Sequence, residues 1–165
     1  MGTVAAESID DYHFESITYM GCKHCDCVFI EELIDPTLLY MNNHNTDVVG
    51  ATWQKHYEDL VGFVLESIKP GSNILEIGDP SAKVANPCCE SDLVAKWKIV
   101  EPNQSKKIFH DKIEYLNLWV EDYDYTSYDH DAVVLSHVFE HLFDPATFLL
   151  RLSNESKDCE SFGIT

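Results

Sequence analysis

Four short apolar runs, each giving way to acidic or other polar residues, constrain this chain more than any other feature. They are Asn73-Ile-Leu-Glu-Ile-Gly78, Trp97-Lys-Ile-Val100, the less regular Ile113 to Val120, and Asp131-Ala-Val-Val-Leu-Ser136. Runs this short and this apolar read as buried strands. Ahead of the first, Trp53, Tyr57, Leu60, Val61, Val64, Leu65 and Ile68 recur at helical spacing, the stripe of a helix that packs into a core. Lys69-Pro70-Gly71-Ser72 stops that helix. After the fourth run, Asp144-Pro145 opens a helix through about Leu152, with proline in the favoured first turn. Strands alternating with helices predict an α/β fold whose sheet has about four parallel strands and right-handed crossovers.

Ligands of such sheets bind at the carboxyl ends of the strands, where strand order reverses. Chemistry is therefore expected just after Ile77, Val100, Val120 and Ser136. The first of these places carries Glu76, Gly78 and Asp79, the second Glu101, the third Glu121 and Asp122, and the fourth His137, Glu140 and His141. A strand-end acid is costly to bury without donors. Glu101 stands where a carboxylate could accept two hydrogen bonds from a ribose diol. His137 reads as a structural residue of the strand end. Glu140-His141 reads from the residues alone as a satisfied helix-start cluster near Asp144.

The N-terminal part differs in character. Cys22-Lys-His-Cys25-Asp-Cys27 precedes the short apolar run Val28-Phe29-Ile30. Asp35-Pro36 marks a turn, and Met41-Asn-Asn-His-Asn45 reads as a linker. Residues 1–50 are thus expected to form a small cysteine-containing module, and residues 51–165 the α/β domain. Met1 to Tyr12 has no basic cluster ahead of an apolar run, and no stretch reaches the roughly 18 apolar residues that span a bilayer. The expectation is a soluble, cytoplasmic protein whose six cysteines are thiols or metal ligands. Cys88-Cys89 reads as a pair of buried or loop thiols. A net charge of -18 with Arg151 as the single arginine argues against nucleic acid and anionic membranes as partners.

Three segments together resemble the class I S-adenosylmethionine-dependent methyltransferases, whose sheet is Rossmann-like. Leu75-Glu76-Ile77-Gly78 is similar to their first motif, Val100-Glu101-Pro102 to their second, and Asp131 through Pro145 to their fourth-strand motif and the helix after it. The resemblance covers roughly Trp53 to Leu152. It implies S-adenosylmethionine as cofactor, with Glu76, Gly78, Asp79, Glu101 and Ser136 around it; the acid run Glu121-Asp122-Tyr-Asp124 reads as a solvated turn or, for Glu121 or Asp122, as a partner of the adenine amine. The Cys-x-x-Cys segment and the Asp-Pro-x-x-Leu-Tyr segment resemble the sugar C-methyltransferases, which carry a zinc-binding module ahead of the methyltransferase domain. That implies zinc on Cys22 and Cys25, a nucleotide-linked sugar as the small-molecule acceptor, and Glu140 and His141 as the catalytic pair.

Three departures from the family pattern carry their own expectations. The family continues Glu-x-Gly with two further glycines, where this chain has Pro80 and Ala82. Proline lacks an N–H, and alanine disfavours the backbone conformations glycine allows. Pro87 is expected to break the helix that backs this loop. The family sheet has seven strands, whereas Ser153 to Thr165 is mostly polar, so the domain reads as truncated and its fourth strand as an uncovered edge. Such an edge is a hazard that a homodimer could cover. The metal module has one Cys-x-x-Cys pair where zinc ribbons have two. The alternative to an enzyme is a non-catalytic methyltransferase-like protein, serving as a binding or assembly module.

Overall fold

The computed structural model describes residues 16–35, 50–104, 110–127, 129–156 and 161–164, the last span by its backbone. Pro36 to Asn45 and Met1 to Tyr12 lie outside the described residues. The chain divides into two compact units, Met1–Leu39 and Tyr40–Thr165.

In the smaller unit, β1 (Tyr19–Gly21) and β2 (Val28–Ile30) pair antiparallel, with Tyr19 opposite Ile30 and Gly21 opposite Val28. The cysteine segment is the turn between them. Cys22 N–H donates to Cys27 O at 2.8 Å, Asp26 N–H donates to Cys22 O at 2.9 Å, and Asp26 takes the left-handed backbone at φ 57°.

In the larger unit, α1 spans Ala51–Ser67 and is followed by β3 (Ser72–Ile77). The expected stop acts through Ser72, whose hydroxyl donates to Lys69 O at 2.8 Å, and through Gly71 at φ 82°. The short α2 (Ala85–Cys89) leads to β4 (Val94–Val100). Pro87 shortens this helix but does not abolish it. It sits in the first turn, where N–H groups have no partner within the helix and a missing one is tolerated. β5 covers Ile113–Leu116 only, and the chain then turns through the 3-10 helices Val120–Asp122 and Tyr125–Ser127. β6 (Ala132–Leu135), a 3-10 turn at Phe139–His141, α3 (Pro145–Glu155) and β7 (Ser161–Ile164) complete the unit.

The sheet runs β5-β4-β3-β6-β7, with every neighbouring pair parallel. The α/β class and its flanking helices are as expected, but the sheet has five strands. β7 pairs with β6 from Ala132–Ser161 to Leu135–Ile164. The expected empty position beside β6 is therefore filled, and the argument for a homodimer built on that edge loses its ground. The polar tail is tolerated here because an outermost strand needs only one neighbour.

Alternation along the strands splits the core between two faces. Ile74, Trp97, Ile99, Ala132 and Val134 pack with Leu60 and Val64 of α1 and with Cys88 and Cys89 of α2. On the other face, Leu75, Ile77, Val100, Val133 and Leu135 meet Phe148 and Leu152 of α3 together with Tyr123 and Tyr125. Both faces are covered, as a parallel sheet requires. The stripe on α1 is core only from its second turn onward, because Trp53 is 43% exposed. Cys88 and Cys89 are buried, as expected, and burial pushes each thiol up to about 12, which leaves them unreactive.

Candidate functional site

Strand order reverses beside β3: the chain leaves it toward β4 and returns on its other flank as β6. The crevice beyond the carboxyl ends of β3, β4 and β6 is the place this topology reserves for ligands. A shallow cavity lined by Lys69, Pro70, Gly71 and Asp131 opens at the opposite, amino ends of β3 and β6 and bears no candidate residue.

Gly78 follows β3 with φ 82°, and its N–H donates to Val100 O at 2.9 Å. A Cβ here would overlap Val138, so glycine is required both by the backbone and by the close approach of the segment after β6. Asp79 organises the loop that follows. Its carboxylate accepts from Ser81 N–H at 2.9 Å, Lys83 N–H at 2.6 Å and Val84 N–H at 3.4 Å. Pro80 withholds no donor that this arrangement needs. Ala82, in the place of the family's last glycine, takes φ 52° and is fully buried.

Glu76 is fully buried beneath this loop. Its Oε2 accepts from Trp97 Nε1 at 2.8 Å, and its Oε1 has no hydrogen-bond partner. Burial, and then the charge of Asp79, raise its carboxyl well above the usual range, which favours the protonated form. Glu101, at the end of β4, accepts from Asn103 N–H at 2.8 Å through one oxygen. Burial raises its carboxyl too, the Asn103 amide opposing and Asp79 adding. Asp122 is exposed at the end of a 3-10 turn, its N–H donating to Trp119 O at 3.0 Å.

At the end of β6 the chain bends through His137 at φ 53°. Ser136 Oγ lies 3.4 Å from His56 Nε2 of α1. The His137 ring meets the rings of His56 and Trp53 edge-on, with centroids 4.8 Å and 4.7 Å away. Its Nδ1 is 3.6 Å from Glu140 Oε1. The carboxylate of Glu140 thus faces His137. Trp53, His56 and Tyr57 are not legible as site residues in the sequence, because helical spacing marks this stretch as core. Lys83 stands over the Tyr57 ring, 5.0 Å from its centroid, which ties α1 to the Asp79 loop.

Comparisons with solved structures agree with this geometry. A candidate methyltransferase from an antibiotic biosynthesis pathway of Anabaena variabilis ATCC 29413 superposes with TM-score 0.52 at 15% identity, covering 64% of this chain and 44% of its own. Magnesium protoporphyrin IX methyltransferase (ChlM) from Synechocystis PCC 6803, solved with bound S-adenosylmethionine, gives 0.51 at 11%, covering 70% and 61%. EvdMO1 gives 0.50 at 16%, covering 61% and 26%. The chain carries a methyltransferase fold. It spans between 26% and 61% of the length of these three proteins. No protein-family profile and no curated protein matches the sequence.

In the smaller unit, the cysteine turn only partly suits the implied zinc. Amides of His24 and Cys25, then the Cys25 side chain, hydrogen-bond the Cys22 sulfur and lower its thiol. This favours a thiolate, as a metal knuckle would. Yet among the described residues no group of three or more His, Cys, Asp or Glu side chains could hold a metal. No described helix is long and apolar enough to cross a membrane.

Proposed function

We propose that the Tyr40–Thr165 unit binds S-adenosylmethionine at the carboxyl ends of β3, β4 and β6 and directs methyl transfer to a small-molecule acceptor. The observation that carries this reading is the reversal of strand order, in a methyltransferase fold, at the point where Gly78, Glu101 and Ser136 converge. The residues fit the cofactor. Glu101 has one oxygen engaged by Asn103 and leaves the other for a ribose hydroxyl. Glu76 lies beneath the loop with its carboxyl shifted toward the protonated form, while Asp79 fixes the loop over it by taking the amides of Ser81, Lys83 and Val84. Asp122 lies six residues beyond the end of β5, in an exposed 3-10 turn, and the family pattern alone assigns it to the adenine side. When bound, S-adenosylmethionine supplies an electrophilic methyl on sulfur. The protein must orient an acceptor and take its proton, a task for the 137–141 segment and, on the family resemblance, for Glu140 and His141. The first acceptor class to test is a nucleotide-linked sugar, methylated at a carbon next to a ketone.

One observation favours a second reading. The loop amides that a ligand would use are already taken by Asp79. A methyltransferase-like binding module without turnover would keep such a self-satisfied loop.

Calorimetric titration with S-adenosylmethionine and S-adenosylhomocysteine tests the cofactor. Binding is expected, and Glu101→Ala should weaken it about tenfold to a hundredfold, the worth of a hydrogen bond to a charged group. No heat and no thermal shift at millimolar ligand would defeat both readings of the site as a cofactor site. Unchanged affinity in Glu101→Ala would show that the ribose lies elsewhere.

A further inference from the structure

The residues around β6 support a more specific assignment than the family pattern makes. Resting on the methyl-transfer reading above, we propose that His137 is the proton acceptor of the reaction, with Glu140 as the carboxylate that positions it.

Four observations converge on His137. It is the second residue beyond β6, on the strand-end side where the order reverses. It holds the left-handed backbone at φ 53°, a conformation that L-residues seldom adopt and that collects at functional positions. Its ring is walled by Trp53 and His56, at 4.7 Å and 4.8 Å between centroids, while its side chain keeps 42% exposure. The ring is thus held and still reachable. Finally, Nδ1 stands 3.6 Å from Glu140 Oε1, a separation that a small shift closes to a hydrogen bond when a ligand seats.

Backbone geometry explains why the sequence-adjacent pair is the weaker choice. Phe139–His141 is a 3-10 turn, with about three residues per turn, so neighbouring side chains splay apart. Glu140 and His141 therefore diverge, and the Glu140 carboxylate faces His137 Nδ1 at 3.6 Å.

The chemistry follows the base-and-orienter pattern. A carboxylate at Nδ1 favours the tautomer with Nδ1–H donated to Glu140, which leaves the Nε2 lone pair as the base. Nε2 takes a proton from the acceptor's O–H, N–H or activated C–H. The electron pair left on the acceptor attacks the methyl carbon, the S–C bond breaks with its electrons returning to sulfur, and S-adenosylhomocysteine leaves. The imidazolium then returns its proton to water.

Two measurements on the full chain test this. In nitrogen-15 spectra of the neutral histidine rings, His137 should be mainly Nδ1–H in the wild type and mainly Nε2–H in Glu140→Ala, an exposed substitution that leaves the core untouched. A wild-type Nε2–H ring, or a tautomer indifferent to Glu140→Ala, overturns the proposal. In the second, diethyl pyrocarbonate labelling is mapped by mass spectrometry with and without S-adenosylhomocysteine. His137 should label faster than His141, slow about threefold or more in Glu140→Ala, and be protected by the ligand. Binding without protection of His137 overturns the assignment and leaves the cofactor reading intact. No binding at all defeats the methyl-transfer reading, and the assignment falls with it.

Discussion

Glu76 is a single buried acid whose protonation the fold has to keep. In the unfolded chain it titrates in the ordinary carboxylate range, whereas in the native state it holds its proton to much higher pH. Its contribution to stability is therefore full below the unfolded value and is lost as pH rises toward the native one, by at most about 1.4 kcal/mol per pH unit. Glu76→Gln should remove that slope. In urea titrations the variant is expected to match the wild type near pH 4.5 and to exceed it at pH 8, and an unchanged slope would mean the acid is ionised in place. Residue chemistry also explains Ala82. A left-handed L-residue costs about 1–2 kcal/mol, and burying its methyl returns about 0.8 kcal/mol. The burial offsets part of the strain, so alanine can stand where the family has glycine at a modest net cost. Sequence alone marks this position as a defect, since φ and burial are both invisible there. Gly78 is legible because a glycine directly after a buried strand signals a tight turn or a close backbone approach. His137 reads as structural in the sequence, and its ring contacts with Trp53 and His56 of α1 become visible only in the fold.

At the scale of elements, periodicity and stop signals locate α1, β3, β4, β6 and α3 to within a few residues, because buried runs and caps are local properties. Two elements depart from expectation. Ile113 to Val120 is apolar enough for a longer strand, but β5 ends at Leu116 and the chain bends to bring Tyr123 and Tyr125 onto α3. That bend is secured by Arg151 of α3. Its guanidinium donates to Glu121 O at 2.6 Å and Tyr123 O at 2.7 Å, and lies 5.3 Å from the Tyr125 ring centroid. The fork reaches two carbonyls at once, which a lysine ammonium does poorly. Arg151→Ala should lower unfolding free energy by about 2 kcal/mol, allowing for partial exposure, and Arg151→Lys should recover less than half of it. Equal stability of all three proteins in guanidinium titration would refute the clamp. The other element is β7, a four-residue strand interrupted by Gly163 and preceded by the polar stretch Ser153 to Glu160, too short to announce itself, and its pairing is supplied by β6.

For the molecule as a whole, β7 changes the expected behaviour in solution. It takes up the backbone groups of β6 that the sequence left bare. Removing residues 157–165 should uncover that edge and produce concentration-dependent association in light scattering, while the full chain shows none of that edge-driven association. If both behave alike, β7 does not protect β6. Fold class is readable from alternation, and the strand ends direct attention to the crevice, because topology puts ligand chemistry there. The contribution of α1 is not readable, since it depends on which end of that helix overhangs the sheet. The strand order carries a further consequence for how the chain acquires its shape. β3, β4 and β5 follow one another, but the seam between β3 and β6 joins Asn73 to Asp131 across 58 residues of sequence. Such a distant closure comes late and slowly, after the neighbouring strands have assembled. Gly78 and Glu101 belong to the early side of the seam, and Ser136 and His137 to the late side. A ligand gripping both sides would act as a bolt across the last joint to close, so occupancy should appear as slower unfolding of the entire sheet.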